Sequence, residues 1–187
     1  LEALNENLFN IKWHPFQLNP EMPKNGMNRK KYLEQKFGSI DGIASAYLPV
    51  IEHTKNFNID LQLDKIQTTP NTMNAHRIIN WAALENCQNQ IVSELFKAYF
   101  VNGLDLGDNT ILAKLASKYF MNEKSILRLL NSDNDVSKII DKDRTARLMG
   151  INAVPMFIVA DHYAVSGAQT AEIWQSVVKD IQASVHQ

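Results

Sequence analysis

The sequence has little of what the commonest disulfide and metal chemistry requires. It contains one cysteine, Cys87, so this chain can close no internal disulfide and build no cysteine metal cluster. Five histidines, His14, His53, His76, His162 and His186, show no HExxH or comparable ligand spacing, and no metal is expected. No apolar run is long enough to cross a bilayer, so no membrane partner is expected. An excess of one charge is lacking as well: 19 Lys and Arg stand against 20 Asp and Glu, for a net charge of −1. The densest basic run, Arg29-Lys30-Lys31, is short and followed by Glu34. It reads as a solvated helix face, and no nucleic-acid partner is expected. There are no internal repeats, low-complexity tracts or long linkers.

What is present is a globular mixture. Hydrophobic residues make up 45% and charged residues 21% of the 187, which suits one domain of ordinary size with an insertion. Residues 1–7 (LEALNEN) read as the last turns of a helix. In the stretch that follows, Phe9, Ile11, Trp13 and Pro15 alternate with Asn10, Lys12 and His14, which predicts a strand over 9–17. NPEMPKNG is a loop, and MNRKKYLEQKFG is a short helix stopped by Gly38. Ser39 is placed to cap a helix reaching about Lys55, where the internal Pro49 predicts a kink or break. Thr72 is placed to cap the next helix, MNAHRIINWAALEN. Further helices are predicted at about 88–100, 109–120, 123–131 and 135–149, the last closed by Gly150. Beyond Gly150 the apolar period falls from about 3.6 to 2. PMFIVA, a turn at Asp161-His162 and YAVSG then predict a β-hairpin. Residues 170–185 put Ile173, Trp174, Val177, Val178 and Ile181 on one face of a closing helix.

GINAVPMFIV, the hairpin, VSGAQ and the closing helix resemble the C-terminal half of a thioredoxin fold. WHPFQLNPEMP and NTMNAHR are similar to segments of DsbA-like oxidoreductases of the FrnE type, relatives of 2-hydroxychromene-2-carboxylate isomerases and kappa-class glutathione transferases. The resemblance covers essentially the whole chain. It implies an α/β, thioredoxin-like fold with a large helical insertion: 1–20 and 150–187 form the thioredoxin-like part, and 21–149 form the mostly helical insertion, all within a single domain.

The family's Cys-x-x-Cys motif, carried by a strand and the start of the first helix, does not occur in these residues. That chemistry needs a thiolate at a helix N-terminus, where the dipole and free N–H groups lower its pKa. The expectation is that the motif precedes residue 1. The resemblance also implies that the strand carrying it lies centrally, between 9–17 and 155–160. Without that strand both neighbours would be left with unpaired backbone groups. Cys87, between two helices and without an adjacent cation, reads as a packing thiol rather than a substitute nucleophile.

Pro155 has two readings. A trans proline can open a strand because its missing N–H is not needed there. The resemblance implies a cis proline facing the Cys-x-x-Cys, with the backbone of Val154 turned outward to pair with an extended peptide. Gly167, Ala168 and Gln169 are either a plain strand end or, as in the glutathione-using relatives, N–H donors for a ligand carboxylate. His14 is either ordinary turn chemistry or part of the site's rim. His76 reads as a packing residue. Met22, Met27, Met73 and Met156 read as core filler or, if gathered near Pro155, as the wall of an apolar peptide groove.

The function these residues imply through the resemblance is protein thiol-disulfide exchange with polypeptide cysteines. The alternatives are a glutathione-dependent isomerase or transferase and a redox-silent peptide-binding module. No bound cofactor is expected, with glutathione as the alternative ligand. The expected compartment is the cytoplasm, with the periplasm as the alternative.

Overall fold

A computed structural model describes residues 9–55, 57 and 59–185. The helical tail expected at 1–7 lies outside them. A two-residue strand β1 (Met27–Asn28) leads into helices α1 (Arg29–Phe37) and α2 (Ile40–Lys55). A 3-10 turn at Leu63–Lys65 and a second two-residue strand, β2 (Thr68–Thr69), precede a run of five helices. These are α3 (Met73–Ala82), α4 (Gln88–Phe100), α5 (Asn109–Ala116), α6 (Glu123–Leu130) and α7 (Val136–Leu148). β3 (Met156–Val159), β4 (Tyr163–Ser166) and α8 (Ala171–Val185) close the chain. β1 pairs antiparallel with β2, and β3 with β4, in two separate two-stranded sheets.

Local chemistry sets several helix ends. The Asn28 side chain accepts the Lys31 N–H, and the Asp108 carboxylate accepts the N–H groups of Thr110 and Ile111. Asn122 does the same for Ser125, satisfying donors that a first helical turn leaves free. Ser39 caps α2 through the Gly42 N–H. Gly38, at φ 77°, closes α1 by donating its N–H to the Glu34 carbonyl, a conformation open to glycine. Two expectations are corrected here. Thr72 makes no side-chain cap; Asn71 accepts the Met73 N–H instead. α2 is not broken at Pro49, which lies on its exposed side, but continues through it as one helix.

The core lies in the helical block. Ile78, Ala82, Leu112, Ala113, Ala116 and Ile126 are fully enclosed, with Trp81, Ile91, Leu95, Tyr99 and Leu130 packed around them. Burying each large aliphatic side chain contributes about 2 kcal/mol. α3 is the hub, packing on α4, α5 and α7. Arg77, on α3, is buried. Its guanidinium donates to the carbonyls of Leu129, Leu130 and Asn134 and to the Asn74 side chain, and it lies over the Trp81 ring. The carbonyls at the end of α6 are the negative end of that helix and bond this cation directly, while the carboxylates of Asp135 and Asp133 favour its charge from nearby.

The strand expected over 9–17 is not formed; this segment carries no ladder among the described residues. Helix side chains take the place of a strand partner. The Gln88 amide accepts the Trp13 N–H and donates back to the Trp13 carbonyl, as a neighbouring strand would. Asp143 accepts the Gln17 N–H at 2.7 Å, and Arg147 donates to the Gln17 carbonyl at 2.6 Å. The alternating pattern is therefore real, but it reflects an extended segment lying on α3, α4 and α7. Among the described residues, no hydrogen bond joins 9–17 to β3.

Candidate functional site

The hairpin turns through Ala160–His162, with Ala160 and Asp161 at φ 50° and 59°, one residue earlier than the pattern predicts. The Val154–Pro155 peptide is cis. The Pro155 carbonyl accepts the Gly167 N–H at 2.9 Å, which extends the β3–β4 pairing by one step. Val154 lies just before this closure and is 44% exposed, and its backbone N–H and carbonyl have no hydrogen-bond partner among the described residues. β3 has β4 as its one hydrogen-bonded neighbour among those residues, so its other edge is open.

One face of β3 is also uncovered. Phe157 points to Trp174 of α8, with ring centroids 4.9 Å apart at 81°, and Trp174 also meets Phe9. Ile158, on the opposite face by alternation, is 44% exposed. The backbone that begins at Val154 thus offers unpaired donors and acceptors beside exposed apolar surface. That arrangement suits an added strand.

Of the expected site residues, the structure brings Val154, Pro155, Gly167 and Gln169 together. Gln169 bends back to donate to the Ser166 carbonyl, and its amide lies near Gly167. The Gly167 N–H is engaged by Pro155, which leaves the exposed Ala168 as the freer donor of the loop. His14 is placed elsewhere: its ring lies within the influence of Lys142 on α7, and burial followed by Lys142 and Lys12 lowers its pKa. No hydrogen bond or ring contact joins it to the hairpin among the described residues. Met22 is buried and Met27 pairs with Thr69. Met73 opens α3, so these three belong to the helical block rather than to a groove at Pro155.

Cys87 is buried, with its Sγ 3.6 Å from the Ala82 carbonyl. Burial, and then Glu85, pushes its thiol upward, the opposite of what a nucleophile needs. No group of His, Cys, Asp and Glu suited to a metal ion occurs among the described residues, and no helix is long and apolar enough to cross a membrane.

A family model for the DSBA-like thioredoxin domain matches residues 1–179. The chain belongs to that family. The crystal structure of a probable DsbA oxidoreductase from Streptomyces coelicolor is similar in fold, with a TM-score of 0.79 at 18% identity. The match covers 90% of this chain and 73% of that one. Comparison with curated proteins gives no match. In this DsbA-like chain the β3-β4-α8 order expected of a thioredoxin-like fold is present, and the helices between β1 and β3 make it a helix-rich α/β protein.

Sequence reasoning misses one cluster in the DsbA-like chain. His76 is hydrogen-bonded to the backbone of Phe16 beside Asp143, and burial outweighs both, pushing its pKa down to about 4. Burial raises the Asp143 carboxyl, but hydrogen bonds from Arg147 and Gln17 outweigh it and hold the group below its usual range. Arg147 also lies over the Phe16 ring at 4.4 Å. The four-residue spacing of Asp143 and Arg147 is the one signal in the sequence; their hold on residues 16–17 has none.

Proposed function

We propose that the protein is a thiol-disulfide oxidoreductase of the FrnE type acting on polypeptide cysteines, with its Cys-x-x-Cys on a strand and helix preceding residue 1. The observation that carries this reading is the open edge of β3 starting at Val154, together with the exposed Ile158 face. A strand and helix preceding residue 1 would fill both. In this reading Val154 and Pro155 receive the substrate backbone. A thiolate of the pair attacks a substrate disulfide, the S–S bond breaks and one substrate thiolate leaves. The second cysteine then attacks the mixed disulfide, releasing the substrate as a dithiol and leaving the enzyme disulfide, with two electrons transferred. The reverse order oxidises the substrate. The buried Cys87 takes no part.

The alternative is a glutathione-dependent isomerase or transferase, in which a single Ser or Cys replaces the pair. The freer Ala168 N–H beside the start of α8 is the feature that favours it, as a donor to a glutathione carboxylate. We place the protein in the cytoplasm, and its recovery only in a periplasmic fraction would overturn that placement. An insulin-reduction assay on the protein including the residues before Leu1 tests the main reading. Turnover with dithiothreitol is expected. No turnover, with glutathione conjugation instead, overturns it in favour of the alternative.

A further inference from the structure

Away from the hairpin, the helical block holds an open groove of about 360 Å³. Its apolar walls are Trp81 of α3, Leu84 just beyond that helix, Phe120 and Met121 between α5 and α6, and Leu129 of α6. None of these residues belongs to the hairpin or to α8. Single exposed apolar side chains are ordinary on a protein surface. Here they adjoin: Leu84 is 75% exposed and Met121 37%, in the same groove as the rings of Trp81 and Phe120. A contiguous apolar patch marks a contact surface.

Two carboxylates, Glu85 and Asp135, line the same groove. The Trp81 indole N–H donates to Oδ2 of Asp135 at 2.9 Å and so ties that carboxylate to the wall, while its Oδ1 has no hydrogen-bond partner among the described residues. Glu85 is exposed, and neither carboxylate has an ion pair among those residues. Arg77 and Lys142 lie near enough to Asp135 to feel its charge, yet both donate elsewhere. Arg77 bonds the carbonyls of Leu129, Leu130 and Asn134, and Lys142 bonds Oδ1 of Asn80 at 2.6 Å.

The groove thus sets apolar wall beside negative charge that no cation bonds, and its complement is a cation joined to an apolar group. Size and shape choose the source of that ligand. Pockets for small molecules run from about 300 to 1,000 Å³ and enclose most of the ligand. This one stands near the lower limit and is open along Leu84, which suits side chains whose main chain stays outside. We propose that the groove is a polypeptide-binding site apart from the hairpin. It receives an Arg or Lys side chain against Glu85 and Asp135, and a neighbouring apolar side chain against Leu84 and Met121. The assignment is independent of the thiol chemistry proposed above, because the groove holds no thiol and shares no residue with the hairpin.

The test titrates a cysteine-free peptide with blocked ends, Gly-Ser-Leu-Arg-Leu-Ser-Gly, into the protein including the residues before Leu1. Heteronuclear NMR follows the indole N–H signals. That of Trp81 is expected to move, and those of Trp13 and Trp174, which lie outside the groove, to stay. Glu85→Gln is expected to weaken binding about threefold and to flatten its salt dependence. Leu84→Ser is expected to weaken it about threefold with the salt dependence kept. Both side chains are exposed, so neither change threatens the fold. Glu34→Gln, at an exposed carboxylate of α1, is expected to match the parent. Equal affinity in the parent and both groove variants overturns the site, as does an unmoved Trp81 signal. Equal binding of the peptide with Glu in place of Arg overturns the charge assignment, and equally tight binding of butylguanidinium overturns the polypeptide occupant.

Discussion

From α3 to α7, Ile78, Ala82, Leu112, Ala113, Ala116, Ile126 and Ile139 are completely enclosed, whereas across β3, β4 and α8 the one side chain buried among the described residues is Trp174. Leu148 and Met149, at the junction, are 82% and 63% exposed. The helical block encloses its own apolar side chains. The hairpin and α8 cover one face of a sheet and leave the other face and one edge open. In the function proposed above this second region receives the substrate backbone, so the part closest to the proposed chemistry is the one of the two with fewer buried side chains among the described residues.

The contrast can be broken most directly at Trp174. Trp174→Ala removes the partner of both Phe157 and Phe9 and is expected to cost about 3–5 kcal/mol. Amide exchange should accelerate in β3 and β4 while α3 to α6 keep their protection. Equal acceleration everywhere would show one cooperative unit and dissolve the comparison. Arg77→Met attacks the other region. It strips three carbonyls at the α6–α7 junction of their donor and is expected to cost about 3 kcal/mol, read from the urea midpoint by far-UV circular dichroism.

Acid should act where residues 16–17 lie on α3 and α7. His76 protonates near pH 6.5 in the unfolded chain but only near pH 4 when folded. The folded form is therefore penalised progressively as the pH falls through that window, by about 3 kcal/mol in full, and is untouched above it. Asp143, held below its ordinary value of 3.8, adds its loss only below about pH 4. Urea titrations at pH 7.5 and 4.5 should show a smaller acid loss for His76→Gln than for the parent; equal losses would remove His76 as the cause. The smallest effect is expected at the hairpin turn. Ala160→Gly relieves a positive φ and should raise stability by about 1 kcal/mol, seen as a higher thermal midpoint.

Much of this architecture is written locally. Asn28, Asp108, Asn122 and Gly38 set helix ends by contacts within four residues, which a sequence displays openly. The period change after Gly150 likewise marks the hairpin. What stays hidden is carried by distance. Residues 9–17 alternate as a strand does, yet their partners are Gln88, Asn89, Asp143 and Arg147, between 75 and 130 positions away. Nothing in an alternating pattern tells a ladder from a set of side-chain clamps. β1 and β2 escape for another reason, since two residues hold no period at all. Of the candidate site, the closeness of Val154, Pro155, Gly167 and Gln169 is legible because they are neighbours on one hairpin. His14 belongs to another surface, and its environment depends on Lys142, far away in sequence.

The clamped segment has a consequence for building with this fold. A ladder accepts any residue that fits the pleat, because backbone recognises backbone. Here the joint is a lock between particular side chains and one stretch of main chain: Gln88 and Asn89 grip Trp13, and Asp143 and Arg147 grip Gln17. A chimera that moved the helical block onto another thioredoxin-like scaffold would have to carry residues 13–17 with it as part of the same graft. A cut between them, convenient on a sequence map, would separate the two halves of the fastening.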